Sequence, residues 1–349
     1  MATHRVGTGK STLVQYIIKE LNIPDSKIAY VAYTGRAALV LKNKGCPGAT
    51  TAHKLLYHTT ELPDGTFIHI PKDKPDKPLK LIVVDEVSML AKEMWDILMK
   101  WGIHVICLGD NYQLPPISED NHILDHPHIF LDEIMRQAQD SEIIRLSMDI
   151  REGKPLTLFK GEDVRVVPKD TISDKLIATA DIVLCGKNAT RYYLNQRIRR
   201  FIWGEQYKDE PIEGDKIICL KNYWNKGDLA NGLIGKIDWI NKQEDFILKT
   251  KLIADFKTDD DIFFGLSMDY QLFTDGKPLV NQDNWKMYPK EIRPLEFDYA
   301  YAITCHKSQG GEFGKVVLFD EYLGGGREMH QRWLYTGITR SSEKLVVAI

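Results

Sequence analysis

Residues 81–89 read LIVVDEVSM: four apolar, strand-prone residues followed by two adjacent carboxylates, Asp85 and Glu86. An uninterrupted apolar run of this length fits a strand buried on both faces of a parallel sheet. The carboxylates then emerge at its carboxyl end, where Asp85 is placed to hold a metal ion through water and Glu86 to polarise a water as general base. On either side the pattern repeats, with KIAYVAYT at 27–34 and HVICLGD at 104–110 each running into a polar loop. Helical patterns lie between these runs, STLVQYIIKEL at 11–21 and AKEMWDILMKW at 91–101. Such alternation is the signature of βαβ units.

About 75 residues before the acidic pair stands Gly7-Thr8-Gly9-Lys10-Ser11-Thr12, opening the first helix. A glycine-rich loop lets successive backbone N–H groups curl around phosphates, and the helix N-terminus adds partial positive charge. Lys10 would neutralise phosphate oxygens and Ser11 would ligate Mg²⁺. His4 occupies the position of the pattern's first glycine, and the sequence shows no strand before the loop. A third element, GDNYQLPP at 109–116, again follows an apolar run. Sheets of this topology bind ligands at the carboxyl edges of their strands, so Gln113 is placed to reach a γ-phosphate.

The second half repeats the α/β alternation with IVLCG at 182–186, a basic helix at 190–203, KVVLFDE at 315–321 and KLVVAI at 344–349. Two stretches break it. Residues 62–78 carry a Pro-Asp-Gly turn and an alternating TFIHI segment, which read as an inserted hairpin. Residues 222–294 are rich in Gly, Asn, Asp and aromatics, with strand-like 247–254, and read as a β-rich insert. The basic helix, with Arg191, Arg197, Arg199 and Arg200, is either a nucleic-acid groove or a solvated face.

Composition narrows the function classes. With 349 residues, 43% hydrophobic and 27% charged, the chain is long enough for two cores and is neither disordered nor fibrous. No apolar run approaches the roughly 20 residues that cross a bilayer, so the cytoplasm is the expected compartment. Five scattered cysteines without a C-x-x-C pair read as buried thiols. The net charge of −3 excludes nucleic-acid binding by bulk attraction and requires a local groove.

Taken in order, GTGKST, VDEVSM, GDxxQLPP, YAITCHKSQGGE at 301–312 and YTGITR at 335–340 resemble the motifs of superfamily 1 helicases, most closely the RecD-like and Dda-like group of the 1B branch. The resemblance runs from residue 7 to 349. It implies two RecA-like P-loop NTPase domains with parallel sheets, an inserted β-hairpin and an SH3-like β-rich insert. The expected layout is 1–150 for the first domain with the hairpin at about 57–79, 151–221 with 294–349 for the second, and 222–293 for the insert.

The same resemblance assigns residues. Gly7, Thr8, Gly9, Lys10, Ser11 and Thr12 would form the nucleotide loop, with Asp85 and Ser11 at the metal, Glu86 on the attacking water and Gln113 as γ-phosphate sensor. Glu312 would face the nucleotide, and Arg136 and Arg340 would reach the γ-phosphate from the two sides of a cleft. Strand binding would fall to Thr34, Gly35, Arg36, Thr51, His53, Thr304, His306, Lys307 and Gln309, through hydroxyls, amides and a few cations that grip phosphodiester without reading bases. Phe67, near the hairpin turn, would stack on the last base pair. The implied protein is a monomeric, ATP- and Mg²⁺-dependent DNA helicase acting on single strands and duplex junctions, with 5′ to 3′ polarity, alongside replication or recombination proteins. The competing expectation is a truncated or decayed homologue that binds single strands, or a partner, without turning over ATP; its warrant is that the helix with an adenine-reading glutamine and the core strand that relatives carry before the loop are missing here.

Overall fold

The computed structural model describes residues 2–4, 10–61, 67–115, 123–131, 141–223, 229–245, 247–259, 261–280, 284, 287–288 and 292–349, with side chains at 2–4, 10–15, 43, 61, 67, 130 and 131 left aside.

The first sheet contains β1 (Ala2–His4), β2 (Ile28–Ala32), β3 (Thr50–Thr51), β6 (Leu81–Val84), β7 (His104–Gly109) and β8 (Ile129–Leu131). Between β3 and β6 the chain forms a hairpin of β4 (Tyr57–Glu61) and β5 (Phe67–Pro71). The sheet order is β3-β2-β6-β7-β1-β8, and every neighbouring pair is parallel. The strand that the sequence reading finds missing is therefore present. Three residues, β1, sit between β7 and β8 with Ala2 opposite both Leu108 and Ile129. Ala-Thr-His has no apolar run to betray it; its partners, more than a hundred residues away, define it as a strand.

Alternate residues of these strands feed opposite cores, as a sheet covered on both faces requires. Ile82 and Val84 pack with Val31, Leu90 and Leu98, whereas Leu81 and Val83 pack with Ile28, Tyr30 and Leu108. Truncating the fully buried Ile82 to alanine would cost about 2–5 kcal/mol. The helices on the faces are α1 (Lys10–Leu21), α2 (Gly35–Asn43), α3 (Ala52–Leu56) and α4 (Lys92–Lys100).

The hairpin is anchored at its base. Lys72 N–H donates to Leu56 O at 2.8 Å and its ammonium to Lys54 O at 3.2 Å, while Trp101 Nε1 donates to Lys72 O at 2.9 Å. The hairpin turn lies outside the described residues.

The second sheet, in order β17-β11-β18-β19-β10-β9, draws on β9 (Phe159–Lys160), β10 (Val164–Val167), β11 (Ile182–Cys185), β17 (Ala302–Thr304), β18 (Phe313–Phe319) and β19 (Ser341–Ala348). Only the edge strand β9 runs antiparallel. Its helices are α5 (Glu142–Arg151), α6 (Asp174–Ala178), α7 (Asn188–Trp203) and α9 (Gly326–Ile338). A five-stranded antiparallel sheet, β15-β14-β13-β12-β16, is built from β12 (Lys216–Cys219), β13 (Ile234–Asp245), β14 (Lys249–Lys257), β15 (Ile262–Met268) and β16 (Phe297–Tyr299), with α8 (Tyr270–Asp275) beside it. This sheet takes β12 and β16 from outside residues 222–293, and the segment expected to be strand at 247–254 begins with a turn.

The basic helix is corrected. Arg199 of α7 is fully buried against Asp215, Arg191 pairs with Asp298, and Arg197 donates to Asp174 at 2.5 Å. Arg191 and Arg199 thus brace the second domain and the insert from within, while Arg197, in its ion pair, and Arg200 stay on the solvated face. All five cysteines are buried thiols. Among the described residues, no helix is long and apolar enough to cross a membrane.

Candidate nucleotide and strand site

Because the first sheet is parallel, the carboxyl ends of its strands share one edge, and the loops that follow are gathered there. The edge receives α1 after β1, Asp85 and Glu86 after β6, and the loop 110–115 after β7. Asp85 N–H donates to Val31 O at 2.8 Å, which ties the acidic pair to the neighbouring strand. Glu86 is held in the left-handed region at φ 51 and ψ 48, with its N–H on Asp85 Oδ1 at 3.0 Å. For a residue with a Cβ this conformation costs about 1–3 kcal/mol and persists only where its surroundings enforce it. Both carboxylates remain half-buried.

Gln113 is 4% exposed, and its Oε1 is buried with no hydrogen-bond partner among the described residues. An unmet buried amide carbonyl carries a penalty of about 1–3 kcal/mol, so this side chain is held for a purpose other than packing. The loop carrying it is docked on the other domain. Tyr335 donates to Asp110 Oδ2 at 2.6 Å, Leu114 N–H to Thr336 Oγ1 at 3.0 Å, and Gln309 Nε2 to Leu114 O at 3.1 Å. Leu114 itself is buried within the second domain's core, among residues such as Trp333 and Leu334.

Arg340, at the end of α9, is 5% exposed. Its guanidinium donates to Thr336 O and Gly311 O, each at 3.1 Å, and to Thr339 Oγ1 at 3.2 Å. Gly7, Thr8, Gly9 and Arg136 lie outside the described residues. Lys10, Ser11 and Thr12 begin α1, their side chains outside the description, as is that of Phe67 on β5.

The residues expected to grip a strand divide into two groups. Thr34 and Thr51 cap α2 and α3, accepting from Ala37 N–H at 3.1 Å and Lys54 N–H at 3.3 Å. They thus place two helix N-termini at the same sheet edge. His53 sits in a ring cluster with Tyr33, Tyr57 and His69, about 6 Å centroid to centroid, and burial with the neighbouring His69 lowers its pKa. Lys307 is exposed, whereas Thr304 is buried and His306, half-buried, is lowered in pKa by burial.

The others lie in the seam. Gly35 meets the insert so closely that a Cβ there would stand 2.1 Å from Ala230 Cβ. Arg36 stacks on Phe313 of the second domain, its Cζ 4.3 Å from the ring centroid. Gln309, expected on the strand, is instead 5% exposed and spent on the Leu114 carbonyl.

A cleft of about 870 Å³ lies where α2, the insert and the second sheet meet, lined by Arg36, Lys216, Lys257, Asp181, Asp259 and Glu312. Glu312, expected beside the nucleotide, is exposed at this cleft. Burial, and then repulsion from Arg340, lowers the Arg36 pKa to about 10; burial, and then repulsion from Arg36, lowers that of Lys216 to about 8. Cations from three parts of the chain thus meet at one seam, with Asp181, Asp259 and Glu312 facing them there. Sequence reasoning gave no role at the site to Lys216, which it reads only as part of the β-rich insert, nor to Asp110, Tyr335 and Thr336, although they stand inside quoted motifs.

A parallel first sheet with a phosphate-binding order of loops, joined to a second sheet through the same loops, defines a two-domain P-loop NTPase with RecA-like halves. Comparison with known proteins agrees. Residues 2–165 match the AAA domain family, and residues 299–348 the UvrD-like helicase C-terminal domain. The ATP-dependent RecD2 DNA helicase of Deinococcus radiodurans is 25% identical over 98% of this chain and 46% of its own length. The ATP-dependent DNA helicase RRM3 of Saccharomyces cerevisiae is 25% identical over 88% of this chain and 50% of its own. A crystal structure of Bacteroides Pif1 helicase with ADP-AlF3 and single-stranded DNA superposes with a TM-score of 0.58 at 19% identity, covering 99% of this chain and 87% of that one. The chain is thus similar to the superfamily 1B helicases. It spans about half the length of these two curated relatives.

Proposed function

We propose that this protein is an ATP-dependent DNA helicase that moves along single-stranded DNA, in the 5′ to 3′ direction, and separates duplex at junctions. The observation that carries the reading is the shared edge. Asp85, Glu86 and the start of α1 share that edge with the loop of Gln113, and the loop is held by α9, which ends two residues before Arg340.

ATP would lie with its phosphates on the N-terminus of α1, cradled by residues 7–12 and countered by Lys10. Glu86 would take a proton from the attacking water, and Gln113 would orient that water or the γ-phosphate. Mg²⁺ bound with ATP would neutralise charge on the phosphates, held through Ser11 and Asp85. Arg340 and Arg136 would steady charge on the transferred group, a contribution of about 10³–10⁵ in rate in related NTPases.

The strand would pass over the caps of α2 and α3, Arg36 and the segment 304–307. Contacts there are hydroxyls, backbone amides and cations, which suits a motor that must release each nucleotide. Phe67 on the anchored hairpin would meet the fork. Replication and recombination proteins are the partners this activity implies. The rival reading, a binding-only homologue, rests on the want of an adenine-reading helix and a core strand before residue 7, and β1 supplies a strand there.

The test is ATP hydrolysis with and without single-stranded DNA, and unwinding of 5′- and 3′-tailed duplexes. Lys10→Ala, Glu86→Gln and Arg340→Ala should each abolish turnover; activity surviving in all three would overturn the assignment.

A further inference from the structure

We infer that Tyr335 and Thr336, on the helix of the second domain, are positioning residues that set Gln113 for hydrolysis through a latch on the loop 110–115. The inference rests on the proposed ATPase activity and adds what brings its γ-phosphate sensor into place.

Four hydrogen bonds cross the seam to this loop, one of them from Tyr112 OH to Arg151 O at 2.7 Å, and they flank Gln113 on both sides. Before it, Asp110 is 1% exposed and accepts from Tyr112 N–H at 3.0 Å through one oxygen and from Tyr335 at 2.6 Å through the other. After it, Leu114 gives its N–H to Thr336 and takes the Gln309 amide on its carbonyl. Thr336 Oγ1 in turn donates to Arg332 O at 2.7 Å, so its lone pair is aimed at Leu114 by the helix itself. The rings reinforce the clamp. Tyr112 meets Tyr335 edge-on at 5.4 Å, and the guanidinium of Arg151 covers Tyr112 at 5.0 Å.

Gln113 is the exception within this arrangement. Its neighbours are satisfied across the seam, while its own carbonyl oxygen is buried and unpartnered among the described residues. The second domain therefore fixes the backbone on either side of the amide and leaves the amide for a ligand. Thr336 lies four residues before Arg340 and holds its Nε through the Thr336 carbonyl at 3.1 Å. One turn of helix thus holds the first domain's glutamine and the second domain's arginine together. Parting the domains would release the glutamine's loop, while Arg340 keeps its bonds within the second domain.

The decisive experiment is a double-mutant cycle on the full chain with steady-state ATP hydrolysis at saturating single-stranded DNA. Tyr335→Phe and Thr336→Val should each lower kcat about tenfold with KM for ATP within twofold, and Thr336→Ser should restore the wild-type rate. Added to Gln113→Ala, Tyr335→Phe should cause no further loss. A kcat within twofold of wild type in Tyr335→Phe, or losses that multiply in the double variant, would overturn the inference. Hydrogen exchange judges the latch apart from turnover. The Leu114 amide should be protected in the wild type and exchange at least tenfold faster in Thr336→Val, and equal rates would refute the latch. A wild-type chain that does not hydrolyse ATP yet shows that exchange difference would sink the functional reading alone.

Discussion

Arg340 donates to the carbonyl of Gly311 at 3.1 Å, and on the other side of the same glycine stands Arg36. A Cβ at residue 311 would lie 3.2 Å from the Arg36 Cζ and Nε and 3.1 Å from Ser308 O. Gly311 thus touches the cation expected on the strand and holds the one expected on the nucleotide, within a single peptide. Replacement by alanine should push Arg36 off Phe313. With Arg36 moved from the place expected to meet a phosphate, single-strand affinity in Gly311→Ala should fall and its salt dependence should weaken. Fluorescence anisotropy with a labelled oligonucleotide checks it, and Phe313→Leu should show a similar loss.

Lys216 gives a pH signature. Its pKa in the fold is about 8, against 10.5 ordinarily, so above pH 8 the native protein has released a proton that the unfolded chain still holds. Stability attributable to this group therefore rises with pH between about 8 and 10.5, and the cost of burying the charge is full below pH 8. Urea unfolding of the wild type and Lys216→Met across pH 7.5 to 10 should show the difference between them shrinking as pH rises. A constant difference would show that Lys216 stays charged.

Buried charge predicts a large effect elsewhere. Asp215 accepts from Arg199 at 3.0 and 2.9 Å, Trp203 Nε1 at 3.0 Å, Tyr301 at 3.0 Å and Ile212 N–H at 2.9 Å, and Arg199 lies 4.0 Å from the centroid of the Tyr299 ring. Asp215→Ala strands a guanidinium with no exposure, at a cost of about 3–5 kcal/mol. Chemical denaturation should record that loss, whereas Arg200→Ala, at the protein surface, should change stability by less than about 0.5 kcal/mol.

Gln113→Ala should lower kcat for ATP by about 10² while leaving KM within a few-fold, the mark of a group that acts on the transition state rather than on ground-state binding. Gln113→Glu should do no better, because a carboxylate beside phosphate repels. Steady-state kinetics separates these outcomes from a general loss of folding, in which kcat and expression would fall together.

Much of this arrangement was legible in residue order. The buried strands β2, β6, β7, β11 and β18 are apolar runs whose identity needs no partner, and Asp85, Glu86 and Gln113 announce themselves by following such runs. What escaped was set by distant contacts. The strand β1 is polar and short, and only the backbone groups of Leu108 and Ile129 make it one. Arg199 reads as a surface cation until Asp215, sixteen residues on, is folded against it. Gln309 reads as a strand contact only through the motif that resembles the helicases'; burial against Leu114 gives it a different task.

The most direct measurement is the rate of ATP hydrolysis, with and without saturating single-stranded DNA, in the wild type and in Glu86→Gln. The expected result is turnover in the wild type that rises strongly on adding DNA, and none above background in Glu86→Gln, which still binds nucleotide. Hydrolysis by Glu86→Gln at the wild-type rate, or a wild type indifferent to DNA, would contradict the assignment of the shared sheet edge as the engine of a DNA motor.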